Sequence, residues 1–384
     1  MTRINNMIRF IRTFHPVGQG AFYSEDIEQE GKRIFRMVYD CGSLSLKKSD
    51  LKKRVKSDFA GDLNVDLLFI SHFDQDHVNG VTNLKPQTVI LPFLSPDLVH
   101  ILKLYNSVVE NIYNTQLAEA PESIFQNARI IRVLPEDAET NNEGPNELMI
   151  NIGNEDNQTG SVENIGSTGR IIISEKRNLW EYIPLNPNWN KYITMFKAEV
   201  KKLNLDWGKL ITTQNADYIG SNIKSLKSIY DKLNPKNEHS LVVYSNSVFK
   251  TTIDDYFLSK PSCKGWCCPF LYHLPFGCLY FGDIKIEDKW KEPFYEFLKK
   301  TDRLSQIGTV QIPHHGSYLS HGEKVYSTTH PFANSILCVI SVGEFNHFGH
   351  PSLHVVKEIH RNDGNVIMVT EAISSVCTYY SYKI

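Results

Sequence analysis

The sequence has no apolar run long enough to cross a membrane. Its longest, such as Ile336–Val342, falls far short of the ~20 residues a spanning helix needs. It also lacks an apolar leader. The opening Met-Thr-Arg-Ile-Asn-Asn-Met-Ile-Arg-Phe-Ile-Arg is interrupted by charge, so nothing there reads as a secretory signal. These absences predict an unanchored cytoplasmic protein with no membrane partner. An excess of one charge is missing too. With 41 basic and 43 acidic residues the net charge is −2, so no global field draws the chain to nucleic acid, and any such contact would be local. Cysteine is sparse and unpatterned. Seven cysteines, an odd number scattered along the chain, argue against a disulfide framework. Cys263, Cys267, Cys268 and Cys278 lie near one another, but their spacing fits no paired CxxC zinc pattern. They read more simply as reduced thiols near a loop and a strand than as a structural metal site. No internal repeat is present.

What the chain does have is ordinary packing material, 41% hydrophobic and 22% charged, so most of it should fold. Its 384 residues suit one large α/β domain with insertions, or two modest ones. Alternating or apolar stretches predict strands over 8–17, 33–39, 65–71, 88–91 and 130–134. The first two, joined by a polar turn, suggest a hairpin at a sheet edge. Further strands are predicted over 240–249, 279–281, 310–312, 336–342, 366–370 and 376–382. Helical spacing marks 47–59, 96–117, 191–203, 223–233 and 289–300. The stretch 135–169, rich in Asn, Glu and Gly, reads as a loop. Two β-rich halves with helices between and around them suit a sandwich whose helices cover its outer faces.

The strongest chemical signal is Ser71-His72-Phe73-Asp74-Gln75-Asp76-His77-Val78-Asn79-Gly80. Two histidines and two aspartates follow a buried-type strand within six residues, and imidazole and carboxylate are the ligands of hydrolytic dications. Successive side chains of an extended strand diverge, so only a loop turning into a helix can aim all four at one point. Three more strand ends present similar groups: Gly282-Asp283, Pro313-His314-His315-Gly316-Ser317, and Asn346-His347-Phe348-Gly349-His350-Pro351. Each alone is ordinary turn chemistry. Their company gives them weight. The five tryptophans read as packing, and the lysines between 47 and 56 as a solvated helix face.

In this order the motifs resemble the metallo-β-lactamase superfamily. Within it they are most similar to the soluble hydrolase domain of the DNA-uptake competence protein ComEC and its stand-alone relatives. The turns Val17-Gly18-Gln19-Gly20 and Asp40-Cys41-Gly42, and the strand entry Asn237-Glu238-His239-Ser240, fit the same pattern. The resemblance covers the chain outside its middle. It implies a single αββα sandwich over 1–384 with a partly helical, family-specific insertion over 135–235, a surface that could take a protein partner. It implies two divalent ions, zinc or manganese. His72 and Asp74 would serve the first, with Asn237 or His239. Asp76 and His77 would serve the second, with His314 or His315, and Asp283 would bridge. Asp40 would hold the ligand loop, and Ser317, Asn346 and His350 would border substrate. Asp74 stands where most of the superfamily has histidine, and this harder oxygen ligand shifts the first site toward manganese. The activity implied is hydrolysis of a phosphodiester, nucleic acid or nucleotide, by metal-activated water. Asp76 and Asp283 would hold the nucleophile, and the histidine of the 314–315 pair that is not a ligand would assist the leaving group. The competing readings are a hydrolase of a small ester, lactone or cyclic nucleotide, and a non-catalytic metal-binding module in a multi-protein, possibly defence, system.

Overall fold

A computed structural model describes residues 7–109, 114–136, 147–152, 161–212, 215–233, 240–258, 274–286, 288–321 and 336–383. The chain is α/β, with two mixed sheets and helices around them. The first sheet has nine strands, in the order Asp255–Leu258, Cys377–Lys383, Ile8–Phe14, Phe22–Gln29, Lys32–Cys41, Asn64–Phe69, Lys85–Pro92, Arg129–Val133 and Val162–Ile165. Its first four pairings are antiparallel and its last four parallel. The second has eight, in the order Asn365–Val369, Leu337–Ser341, Ile307–Gln311, Gly277–Tyr280, Val242–Ser247, Asn178–Leu185, Arg170–Ser174 and Glu147–Asn151. The first four of these run parallel.

Side-chain alternation explains the layering. In Ile8–Phe14 every second residue, from Ile8 through Phe10 and Arg12 to Phe14, is buried. In Asn64–Phe69 the last three residues, Leu67, Leu68 and Phe69, are buried on both faces. Leu67 and Phe69 join a core shared with Trp180, Tyr182, Tyr280 and Leu337 of the second sheet, so the two sheets face each other. Leu68 joins a second cluster with Leu51, Val55, Phe196, Leu226 and Tyr230 from helices on the outer face. A third cluster sets Phe294, Leu298, Val355 and Ile359 from helices against the outer face of the second sheet. The helices form where apolar residues recur with helical period, as in Leu226, Ile229 and Tyr230. Among the described residues no helix is long and apolar enough to cross a membrane.

Two expectations are corrected. The N-terminal strands are not at a sheet edge. Ile8–Phe14 lies between Cys377–Lys383 and Phe22–Gln29, because the C-terminal strand returns to pair with it. The polar sequence of Phe22–Gln29 hid it as a turn. Likewise, the stretch read as a loop from 135 contributes Glu147–Asn151 to one sheet and Val162–Ile165 to the other. Edge strands need little apolar sequence, since only part of their surface is buried.

Parallel pairing places the site. Lys32–Cys41 and Asn64–Phe69 end together at one edge of the first sheet, and Gly277–Tyr280, Ile307–Gln311 and Leu337–Ser341 end together in the second. Loops leaving the carboxyl ends of parallel strands are where α/β folds collect functional groups. The two sets of ends are tied across the sheets: Leu241 N–H donates to Ser71 O at 2.7 Å, and the Tyr39 hydroxyl donates to Leu241 O at 2.7 Å.

Candidate metal centre

The centre starts from Asp40, an extra residue in its strand. Tyr23 pairs with Tyr39 and Phe22 with Cys41, so Asp40 is skipped as a bulge with φ of 56°. A bulge re-aims its side chain. The buried Asp40 carboxylate here accepts from Ser71 N–H at 2.7 Å, from Ser71 Oγ at 2.6 Å and from His77 Nδ1 at 2.7 Å. Two residues later, Gly42 lies against the ligand helix Gln75–Val78. A Cβ there would sit 2.3 Å from the carbonyl of Asp76 and 2.5 Å from His77 N. Only glycine lets the strand end pack this closely on the backbone that carries two ligands. The adjoining turn helps, as Ala21 N–H donates to Asp76 O at 3.0 Å.

Each histidine facing the centre has its Nδ1 occupied from behind. His77 Nδ1 meets Asp40, which can only accept when ionised, and His315 Nδ1 donates to the backbone carbonyl of Ser341 at 2.8 Å. His72 Nδ1 lies 2.8 Å from Ser71 Oγ, whose proton goes to Asp40, and 3.2 Å from Ser240 Oγ. Such partners fix the tautomer and turn the Nε2 lone pair inward. The inward atoms meet carboxylates: His77 Nε2 is 3.1 Å from Asp283 Oδ1, His315 Nε2 is 3.2 Å from Asp76 Oδ2, and His72 Nε2 is 3.8 Å from Asp74 Oδ2. One donor atom from each of Asp76, His77, Asp283 and His315 lies within 4.8 Å of all the others. His77 Nε2 is buried and faces Asp283.

The second sheet delivers its ligands through a strained turn. His314 and His315 both have φ near 50° (48° and 54°), a region that non-glycine residues rarely occupy. The strain is held by His314 N–H donating to Gly282 O at 3.1 Å and Ser317 N–H to His314 O at 2.8 Å. It sends the two rings different ways. His315 points into the centre and is buried. His314 keeps 24% of its side chain exposed, with Nδ1 2.7 Å from Ser320 Oγ and Nε2 3.9 Å from Asp283 Oδ2. Beneath them Gln311 fastens the Asp283 loop. Its Oε1 accepts from Phe281 N–H at 2.7 Å and Gly282 N–H at 2.8 Å.

The electrostatics follow. Burial alone would lower the His77 pKa, but Asp283 and Asp40 outweigh it and hold it well above the ordinary value. His315 is raised in the same way by Asp283 and Asp76. Burial would raise Asp283, yet His77 and His315 hold it well below the usual carboxylate range. His314 is lowered, mainly by burial. His350, whose ring lies 5.4 Å from that of His314, is pushed down to about 4, by burial first and then by the neighbouring histidines.

The buried group Asp76, His77, Asp283 and His315 could therefore hold a metal ion, and its oxygen and imidazole donors suit a divalent one. His72 and Asp74 adjoin it, the His72 and His77 rings being 4.0 Å apart. Asn237 and His239, the candidates to complete that side, lie outside the described residues, as do Cys263, Cys267 and Cys268. Cys278 is buried between the sheets, its thiol pushed up to about 12 by burial. Asn346 fastens its own loop, its side chain donating to Gly343 O and His350 O and accepting from His350 N–H. Ser317 is buried beside the turn. Ser71 and Ser240 belong to the sequence motifs without a role of their own, and Gln311 lies in a predicted strand; in the structure all three orient the ligands. Ser71 and Ser240 each stand beside a candidate ligand in the sequence, and that adjacency was the available signal. Comparison with protein-family models gives no match, and comparison with curated proteins gives none.

Proposed function

We propose that the chain is a metal-dependent phosphodiester hydrolase of the metallo-β-lactamase fold, with the observed helix, sheet, sheet, helix layering as its αββα sandwich. The observation that carries this reading is the inward chemistry of the centre. Three imidazoles held from behind at Nδ1 turn Nε2 toward three carboxylates in one region. These carboxylates call for positive charge among them, which protons on His77 and His315 supply without an ion and a bound cation would supply in their place.

Asp76, His77, Asp283 and His315 would hold one ion, with His72 and Asp74 beside them for a second. Asp283, 3.1 Å from His77 and 3.8 Å from His315, would serve the first of these and bridge to the other. A divalent ion supplies Lewis acidity, which activates water and stabilises a leaving oxygen. Asp74 adds an oxygen donor, which favours manganese on the first side. His314 is the proton carrier the geometry favours. It is partly exposed and lies 3.9 Å from Asp283, and burial lowers its pKa, which favours the neutral ring that can accept a proton.

The test is purified full-length protein with manganese or zinc, assayed on bis(p-nitrophenyl) phosphate and on DNA strands. Cleavage should require the metal, and Asp76→Ala should lower kcat/KM on the order of a thousandfold. A protein that binds metal yet cleaves no phosphodiester would overturn the reading.

A further inference from the structure

Among the described residues, the aromatic side chains left exposed are Tyr318 at 49%, Phe345 at 88% and Phe348 at 62%. Tyr318 opens the short helix that follows the His314–His315 turn, and Phe345 and Phe348 lie on the loop that carries His350. Leu319 and Leu353, also exposed, flank them. Exposed apolar groups scattered singly need no explanation, but a set gathered at a site does. Two of the three rings pack against histidines. Phe348 stacks on His350 at 6.0 Å and 15°, His350 lies 5.4 Å from His314, and Tyr318 packs edge-on against His354 at 4.9 Å. Asn346 pins the 343–350 loop, and Ser352 N–H donates to Gly316 O, joining the two loops.

We infer that these rings are a stacking platform for the unpaired bases of a single-stranded nucleic acid, a reading that rests on the phosphodiesterase assignment and narrows its substrate. Charge decides between strand types. Residues 313–321 and 343–353 contain no lysine or arginine and one acid, Glu344. Duplex DNA is held through its phosphates by basic side chains, and these loops offer none. Single strands are also held by base stacking, which any base can make. Three rings on two loops suit successive bases of a strand rather than one free nucleotide. From Phe348 the rings of His350 and His314 lead inward to Asp283, so a strand lying on the platform brings its backbone to the centre.

The experiment is fluorescence anisotropy on the full chain, with labelled phosphorothioate strands that resist hydrolysis: oligothymidylate, its abasic counterpart and the corresponding duplex. The base-bearing single strand should bind about tenfold or more tighter than the abasic strand, and tighter than the duplex. Phe348→Ala should remove most of that gap and Phe348→Trp should keep it. Equal affinity for all three strands overturns the platform, as does free thymidine monophosphate competing as well as the strand. So does Phe348-dependent binding to neutral phosphatidylcholine vesicles without discrimination of bases. Binding is read without turnover, so the two failures separate. Base-dependent binding without cleavage sinks only the hydrolase reading. Cleavage that is indifferent to bases and to Phe348 sinks only the platform.

Discussion

The Asp40 carboxylate serves three donors at once, two from Ser71 and one from His77. Removing its charge should therefore act on the metal without moving the backbone. Asparagine tolerates the φ of 56° that Asp40 adopts, so Asp40→Asn keeps the backbone while removing the charge and the acceptor at Oδ2 that fixes the His77 tautomer. Partners of this kind set ligand basicity and orientation, and the variant should lose about 10- to 100-fold in metal affinity. Competition with a chromogenic chelator measures it, and an unchanged affinity would show that Asp40 is only structural. The same residues fix a pH dependence. Without metal, His77 and His315 have raised pKa values, because buried carboxylates hold their protons. A cation must displace those protons. Affinity should thus rise with pH and fall as the solution is acidified through the neutral range, with about one proton or more released per ion bound near pH 7. Titration calorimetry in buffers of different ionisation enthalpy counts that release. Binding with no proton exchange would show that His77 and His315 are already neutral without metal, against the raised pKa values.

At the scale of elements, the strand Ile307–Gln311 organises its neighbour. The Gln311 amide bonds Phe281 N–H, Gly282 N–H, Gly282 O and Ile312 O, so it sets the bend that delivers Asp283. Gln311→Leu keeps the volume and strands those buried backbone groups. It should cost about 2–4 kcal/mol, seen as a lower midpoint of denaturation, and should weaken metal binding as well. A variant as stable as wild type would show that the loop holds itself. This element also shows what sequence can reveal. Val310-Gln311-Ile312 reads as a strand and His314-His315 as candidate ligands, because apolar runs and ligand residue types are local properties. Which histidine turns inward is not local. It follows from two successive left-handed residues held by Gly282, which lies about thirty positions earlier. Asp40 is similar: Asp-Cys-Gly reads as a turn, and only the pairing with Phe22–Gln29 makes it a bulge. Of the strands missed, Phe22–Gln29 and Val162–Ile165 carry polar sequence and are strands because of what pairs with them, whereas Arg170–Ser174 and Asn178–Leu185 are apolar and were overlooked.

At the scale of the molecule, the sheets meet around an ion pair. Arg12 and Glu25 face each other from neighbouring strands of the first sheet, 0% and 3% exposed, with Arg12 Nε donating to Glu25 Oε1 at 2.6 Å. The second sheet closes over them. Ser245 Oγ donates to Glu25 Oε2 at 2.6 Å, Tyr280 donates to Oε1 at 2.9 Å, and Arg12 also donates to Phe276 O. Charges taken out of water on both sides of one contact are costly, and their attraction offsets the cost only while both remain. Glu25→Ala leaves a buried guanidinium with no counterion and should lower unfolding free energy by about 3–5 kcal/mol. Adding Arg12→Met should recover part of that loss, because the unpaired charge is gone while Tyr280 and Ser245 still lack their acceptor. The order of stabilities under urea is the measurement: wild type, then the double variant, then Glu25→Ala. If Glu25→Ala costs less than about 1 kcal/mol, water reaches the pair and the sheets are less tightly closed than their packing indicates. Because Tyr280 lies three residues before Asp283, loosening this contact should also reduce metal affinity, which ties the closure of the two sheets to the centre at their edge.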